Sequence, residues 1–227
     1  MFFDSSYMLA VFLPTLILSG WAQWKLKSAM GKWSKVPNSA GLTGVDTAKR
    51  IMAHAGLDHV GIASVPGQMT DFYDPRDKSI HLSESSTGRP SVAAMAIVAH
   101  ELGHAQQDQV GNTMLNLRAR MVPAANIGTR LGLGLVFLGL ILNRSELASL
   151  GVILFAGFVA FTLVTLPVEF DASKRARGFL DEMGLVSAEE AAGVKSVLDA
   201  AALTYVAAAA TAILQLLYYV SLVSRRD

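Results

Sequence analysis

Three stretches of the chain are apolar without interruption. Residues 5–24 carry no charge, residues 147–168 lie between Glu146 and Glu169 with no charge among them, and residues 200–223 are again uncharged. A helix needs about 20 apolar residues to cross about 30 Å of hydrocarbon at about 1.5 Å per residue, so each run predicts a membrane-spanning helix. A fourth run, 122–142, is interrupted by Arg130, and its uncharged part from Leu131 to Leu142 is too short to span alone. It reads as a span nonetheless, with Arg130 about two turns inside, either snorkelling to the headgroups or facing the bundle interior. The expectation is a mainly α membrane protein with about four transmembrane helices.

The polar stretches between these runs carry a different pattern. After the first span, Gly31 to Gly44 is rich in Gly, Ser, Pro and Asn and reads as a connector. Thr43 and Gly56 bracket a predicted helix from Val45 to Ala55, with Ile51 and Met52 on its apolar side. Alternation and β-branched content predict short strands at Val60–Val65, Asp71–Asp74 and Ser79–Leu82, the last two joined by the turn Asp74-Pro75-Arg76-Asp77-Lys78. Ser83 to Arg89 reads as a polar loop, and Pro90 as the first residue of a helix reaching about Asp108. Residues 25–121 thus form a small α+β cap on the cytosolic side, and 169–199 form a second polar segment before the last span.

Composition bears out this division. Of the 227 residues 52% are hydrophobic and 16% charged, and the mean hydropathy is +0.41, unlike an ordinary soluble domain of this length. The segment before the first run, Met1 to Asp4, is acidic, and Lys25, Lys27, Lys32 and Lys35 follow that run; a retained anchor fits this better than a cleaved signal peptide. Fifteen of the 19 Lys and Arg fall in 25–121 and 170–199, which predicts that both segments face the cytoplasm, although Arg225 and Arg226 fall on the other side. The expected location is the plasma membrane, multi-pass. A net charge of +1, spread over membrane flanks, gives no reason to invoke nucleic acid. There are no cysteines, so thiolate metal sites and Cys nucleophiles are excluded, and any metal must be held by His, Asp or Glu.

One motif carries chemistry. On the helix after Pro90 the chain reads His100-Glu101-Leu102-Gly103-His104, an H-E-x-x-H pattern. Spacing of i and i+4 sets both imidazoles on one helix face, where they can bind one Zn²⁺, and puts Glu101 alongside to take a proton from the attacking water. The preceding apolar run, Val92 to Ala99, would bury the motif. A catalytic zinc needs a third protein ligand and an open position. Glu169 directly follows the third apolar run, and two antiparallel spans joined at Asn143–Leu147 would return it to the side of the membrane that holds His104. Asp171 is the second choice.

His100-Glu101-Leu102-Gly103-His104-Ala105-Gln106-Gln107, together with Thr70-Asp71-Phe72-Tyr73-Asp74-Pro75-Arg76, Ile80-His81-Leu82-Ser83 and Leu166-Pro167-Val168-Glu169-Phe170-Asp171-Ala172-Ser173, resembles the bacterial YugP-like membrane zinc metallopeptidases over nearly the whole chain. A more distant resemblance is to the HtpX and CAAX prenyl protease type of gluzincin, whose third ligand is the Glu of an E-x-x-x-D pattern. Glu169 matches that Glu, while Ser173 stands in place of the Asp, leaving Asp171 to take part of its role. The resemblance implies a zincin-like cap and zinc-dependent endopeptidase activity on membrane or misfolded proteins. Its partners would be a protein or peptide substrate and the lipid bilayer; a homo-oligomer or a membrane partner protein stays open.

His81 could touch substrate or an oxyanion, but a lone His on a short strand is more often structural. His54 and His59 read as surface or capping groups. Arg118 and Arg120 could stabilise an oxyanion, yet arginines before a span are more often interfacial anchors. The strand at 79–82 could offer an edge to a substrate peptide. A different class of reading is a membrane scaffold with a structural zinc, which would need a fourth protein ligand, with His81 the one His to nominate.

Overall fold

The computed structural model describes residues 5–224, so the acidic start Met1–Asp4 and the pair Arg225–Arg226 lie outside the described residues. The chain is mostly helical and carries one small sheet. A helix α1 (Ser5–Tyr7), a π-helical turn (Met8–Phe12) and α2 (Leu13–Trp33) follow one another; then come α3 (Gly44–Ala55), β1 (Gly61–Val65), β2 (Phe72–Asp74), β3 (Ser79–Ser83), α4 (Glu84–Thr87) and α5 (Val92–Gln109). The C-terminal half is α6 (Thr113–Ile127), a π-helical turn (Gly128–Gly132), α7 (Leu133–Ile141), α8 (Ser145–Glu182) and α9 (Ala188–Ser224). The described residues divide into two compact units, one of residues 5–23, 116–167 and 203–224, the other of residues 24–115 and 168–202.

The first unit contains the apolar runs. Three helical stretches, Thr113–Ile141, α8 and α9, are long and apolar enough to cross a membrane, counted among the described residues by length and composition alone. The N-terminal run is helical from Ser5 to Trp33 as well, but it is not one of those three. Arg130 falls in the π-helical turn with its side chain exposed, which removes the reading that it faces a bundle interior. Small residues let α7 and α8 approach closely: a Cβ at Gly151 would come within 2.5 Å of the Val136 backbone nitrogen and 2.6 Å of the Gly132 carbonyl oxygen. Asn143, in the left-handed region at φ 56°, makes the tight turn between them. Val136, Leu140, Ala148, Phe155 and Tyr219 form the buried core of this unit.

The second unit is built around α5, which is buried on nearly every side. That is why its sequence shows almost no amphipathic stripe. Its first backbone N–H groups are met by Ser91, whose Oγ accepts from Ala94 N at 3.2 Å. The helix therefore starts two residues later than Pro90 alone suggests, because the Pro90 carbonyl is engaged elsewhere, accepting from Asn38 N at 3.0 Å. α3 has both expected ends: Thr43 and Asp46 form a capping box, and Gly56 closes the helix in the left-handed conformation at φ 65°.

The sheet has the order β1-β3-β2, with β1 parallel and β2 antiparallel to β3. This overturns the expectation that the strand at 79–82 offers a free edge, since β3 is paired on both sides. Residues 83–89, expected as loop, contain the short helix α4, whose Ser86 is fully buried and lies where the backbone of Gly44 allows no side chain. The hairpin is tied to the end of α5, where Asp108 Oδ2 accepts from Tyr73 OH at 2.6 Å and pairs with Lys78 Nζ at 2.5 Å. Ile51, Leu57, Ile80, Leu82, Met95, Leu102, Phe179 and Leu180 fill the core between these elements and the later turns of α8.

Candidate metal centre

α5 carries His100 and His104 one turn apart, with ring centroids 4.8 Å apart and the rings nearly perpendicular. Against them lies Glu169 of α8, 2% exposed, with Oε2 3.2 Å from His100 Nε2 and 3.5 Å from His104 Nε2. One ligand atom from each of the three residues falls within 4.8 Å of the others, a spacing that can hold a metal ion. Expected from the sequence, this convergence needs the two helices in close approach, and Gly103 supplies it: a Cβ there would stand 2.5 Å from the Ala172 carbonyl oxygen.

Glu101 follows His100 on α5 and is buried with the cluster. Burial pushes its carboxyl above the usual range, against the pull of His100 and His104. Burial likewise disfavours a charged His104, but the hydrogen bond and charge of Glu169 more than offset it and raise that imidazole above its ordinary value.

Asp171, the second choice for third ligand, is not among the clustered groups. Its Oδ2 instead accepts from Arg175 Nε and from Gln107 Nε2, each at 2.8 Å. Ser173 does reach the site, with Oγ 3.3 Å from His100 Nδ1. Sequence reasoning missed Gln107 as a site residue; it is fully buried and its Oε1 lies 3.0 Å from His104 Nδ1. Its position three residues after His104, on the same helix face, was the available signal.

The remaining residues sort away from the cluster. His81 stacks flat on Phe72, centroids 4.4 Å apart, and its Nε2 lies 2.9 Å from Ser79 Oγ, so its ring is spent on the β2–β3 pair. His54 lies 3.5 Å from Glu182, and His59 is exposed beyond the cap of α3. Arg118 and Arg120 stand on α6 and do not belong to the group of three.

A family profile described as "Putative neutral zinc metallopeptidase" matches residues 8–224. The chain belongs to this family. It is also similar to the "Putative membrane protease YugP" of Bacillus subtilis (strain 168), with 43% identity over 215 residues that cover 94% of this chain and 96% of that protein. No solved structure matches it.

The cofactor of a neutral zinc metallopeptidase is zinc, and the donor set suits it. Two imidazole nitrogens and one carboxylate oxygen are borderline and hard donors of the kind zinc takes, and three protein ligands leave a coordination position open. With no cysteine in the chain, no thiolate set competes for the ion.

Proposed function

We propose that this metallopeptidase is an integral-membrane endopeptidase that hydrolyses peptide bonds of membrane or misfolded proteins, with His100, His104 and Glu169 as the zinc ligands and Glu101 as the general base. The observation that carries this reading is the convergence of those three ligand atoms within 4.8 Å, on a helix that also presents a buried Glu101. Zinc bound there supplies Lewis acidity toward a water molecule and toward the carbonyl oxygen of the scissile bond. Glu101 takes the proton of the attacking water and later delivers it to the leaving amine; a buried carboxyl with a raised affinity for protons is suited to both transfers. His100 and His104 each offer a ring nitrogen as a ligand, and burial of the whole set excludes bulk water and strengthens every charge interaction within it.

In the membrane, the three long apolar helices are joined in this reading by the helical N-terminal run as a fourth span, and the site faces the cytoplasm, as the distribution of Lys and Arg supports. The alternative of a scaffold with a structural zinc needs a closed site with a fourth protein ligand. His81, its one nominee, is held against Phe72 instead.

The test is proteolysis of an unfolded protein substrate by the purified detergent-solubilised chain, with and without a chelator, beside Glu101→Gln. The substitution should abolish hydrolysis while leaving zinc content unchanged. Full activity in Glu101→Gln would remove the assigned base, and full activity after the metal is stripped would remove the zinc mechanism.

A further inference from the structure

We propose that Gln107 is a positioning residue that decides which nitrogen of His104 faces the metal, and that the Asp171–Arg175 pair locks Gln107 in the orientation this requires. The inference rests on the ligand set proposed above. Its basis is a chain of donors and acceptors whose polarity can be worked out from one end to the other.

The Gln107 side chain is fully buried between α5 and α8. A carboxamide has one donor end and one acceptor end of nearly the same shape. Here the neighbours tell them apart. One end of the amide lies 2.8 Å from the Val168 carbonyl oxygen and 2.8 Å from Asp171 Oδ2. A backbone carbonyl can only accept. Asp171 Oδ2 also accepts from Arg175 Nε at 2.8 Å, so it too is an acceptor. Turning the amide over would set its oxygen against the Val168 carbonyl oxygen and Asp171 Oδ2 in a buried place, with no proton between them. The NH2 group must therefore face Val168 and Asp171, and Oε1 must face His104 Nδ1, 3.0 Å away.

An acceptor at Nδ1 requires a hydrogen on Nδ1. With the Nδ1 hydrogen committed to Gln107, Nε2, which lies 3.5 Å from Glu169 Oε2, is the nitrogen left to bind a metal. Gln107 thereby selects the ring nitrogen that this ligand offers to a metal. His100 has no such control: its Nδ1 faces the Ser173 hydroxyl at 3.3 Å, and a hydroxyl can donate or accept. Arg175 also donates from Nη1 to Gln106 Oε1 at 2.8 Å, so the pair that locks Gln107 is itself anchored to α5.

Zinc affinity of the detergent-solubilised full chain, measured by competition with a chromophoric chelator, tests this alongside thermal stability of the zinc-free protein. Gln107→Met removes the acceptor at Nδ1 and adds no charge; loss of a partner of this kind weakens zinc by about 10–100-fold. Gln107→Glu keeps an acceptor oxygen for Nδ1 but sets a carboxylate against Asp171 and Val168. The two readouts should then rank the variants in opposite order: Gln107→Glu binds zinc more tightly than Gln107→Met, yet its zinc-free form is the less stable of the two. A zinc affinity that merely follows zinc-free stability would overturn the proposal, as would unaltered affinity in Gln107→Met.

If Gln107→Met does not fold, Asp171→Ala takes its place. It leaves the amide of Gln107 held by Val168 alone, and the absorption bands of the cobalt-loaded protein should change because the His104 ring is less firmly positioned; bands identical to those of the unaltered chain would overturn the proposal. His104→Ala separates this inference from the reading beneath it. Undiminished zinc binding in His104→Ala would remove the ligand assignment itself, whereas zinc loss there with no effect at Gln107 removes only the positioning role.

Discussion

Glu169 is the residue on which the site turns, because it alone joins the motif helix to α8 through ligand atoms. It is 2% exposed, and its carboxylate reaches both imidazoles. Glu169→Ala should bring the zinc content of the purified chain well below one per molecule, read by metal analysis after dialysis; unchanged stoichiometry would remove Glu169 from the ligand set. The imidazole pair and Glu101 were legible in the sequence, since i and i+4 spacing on a helix fixes their common face whatever surrounds it. Glu169 was legible by a longer route, through the hairpin that returns it. Asp171 was singled out only as second choice and through a family pattern, and the contacts of Asp171, Ser173 and Gln107 were not legible, because each depends on how side chains of α5 and α8 meet across a contact that no single-helix periodicity encodes. Gln107 in particular is an ordinary helix residue until Val168 and Asp171 give its amide a direction.

At the scale of elements, the contact between α5 and α8 is set by backbone. Gly103 stands at the crossing, where an added Cβ would meet the Ala172 carbonyl oxygen at 2.5 Å and its carbon at 3.1 Å. Neither atom can rotate away. Gly103→Ala gains about 1 kcal/mol of helix propensity, but forcing an extra carbon into a packed contact costs about 1–3 kcal/mol. The strain falls on the separation of His100 and His104 from Glu169, so the expected outcome is a lower melting temperature and weaker zinc binding together. Wild-type zinc affinity in Gly103→Ala would mean that the helices can part without disturbing the ligands. The same scale explains which boundaries were readable. α3 was, because its capping box and left-handed glycine are local chemistry. The position of β3 in the middle of the sheet was not, because strand order follows from the parallel pairing of β1, a long-range event that alternation of apolar residues does not record. α4 escaped for a similar reason, its Ser86 being buried by packing against the start of α3 rather than by hydrophobicity.

At the scale of the molecule, the proposed ligands all belong to one of the two compact units, residues 24–115 and 168–202, while residues 116–167 and 203–224, which hold most of the long apolar runs, belong to the other. α8 nevertheless runs unbroken from Ser145 to Glu182, so one helix serves both. With the proposed ligands, zinc would bind the folded arrangement of His100, His104 and Glu169 and not the unfolded chain, and at a concentration about 1,000-fold above its dissociation constant it would add about 4 kcal/mol to the stability of whatever must unfold to release it. That stabilisation should be unevenly distributed. Stripping the metal from the detergent-solubilised protein is expected to raise amide hydrogen exchange in α5 and in residues 168–182 of α8, where the ligands stand and where opening frees them. In α7 and in residues 145–160 of the same α8, whose close contacts are made by Gly132, Gly139 and Gly151, exchange should stay as it was. The two halves of one continuous helix would then respond differently to one ion. Equal loosening along the whole of α8 would mean that the units open together and that zinc stabilises the entire chain, while no change in residues 168–182 would mean that Glu169 does not feel the metal.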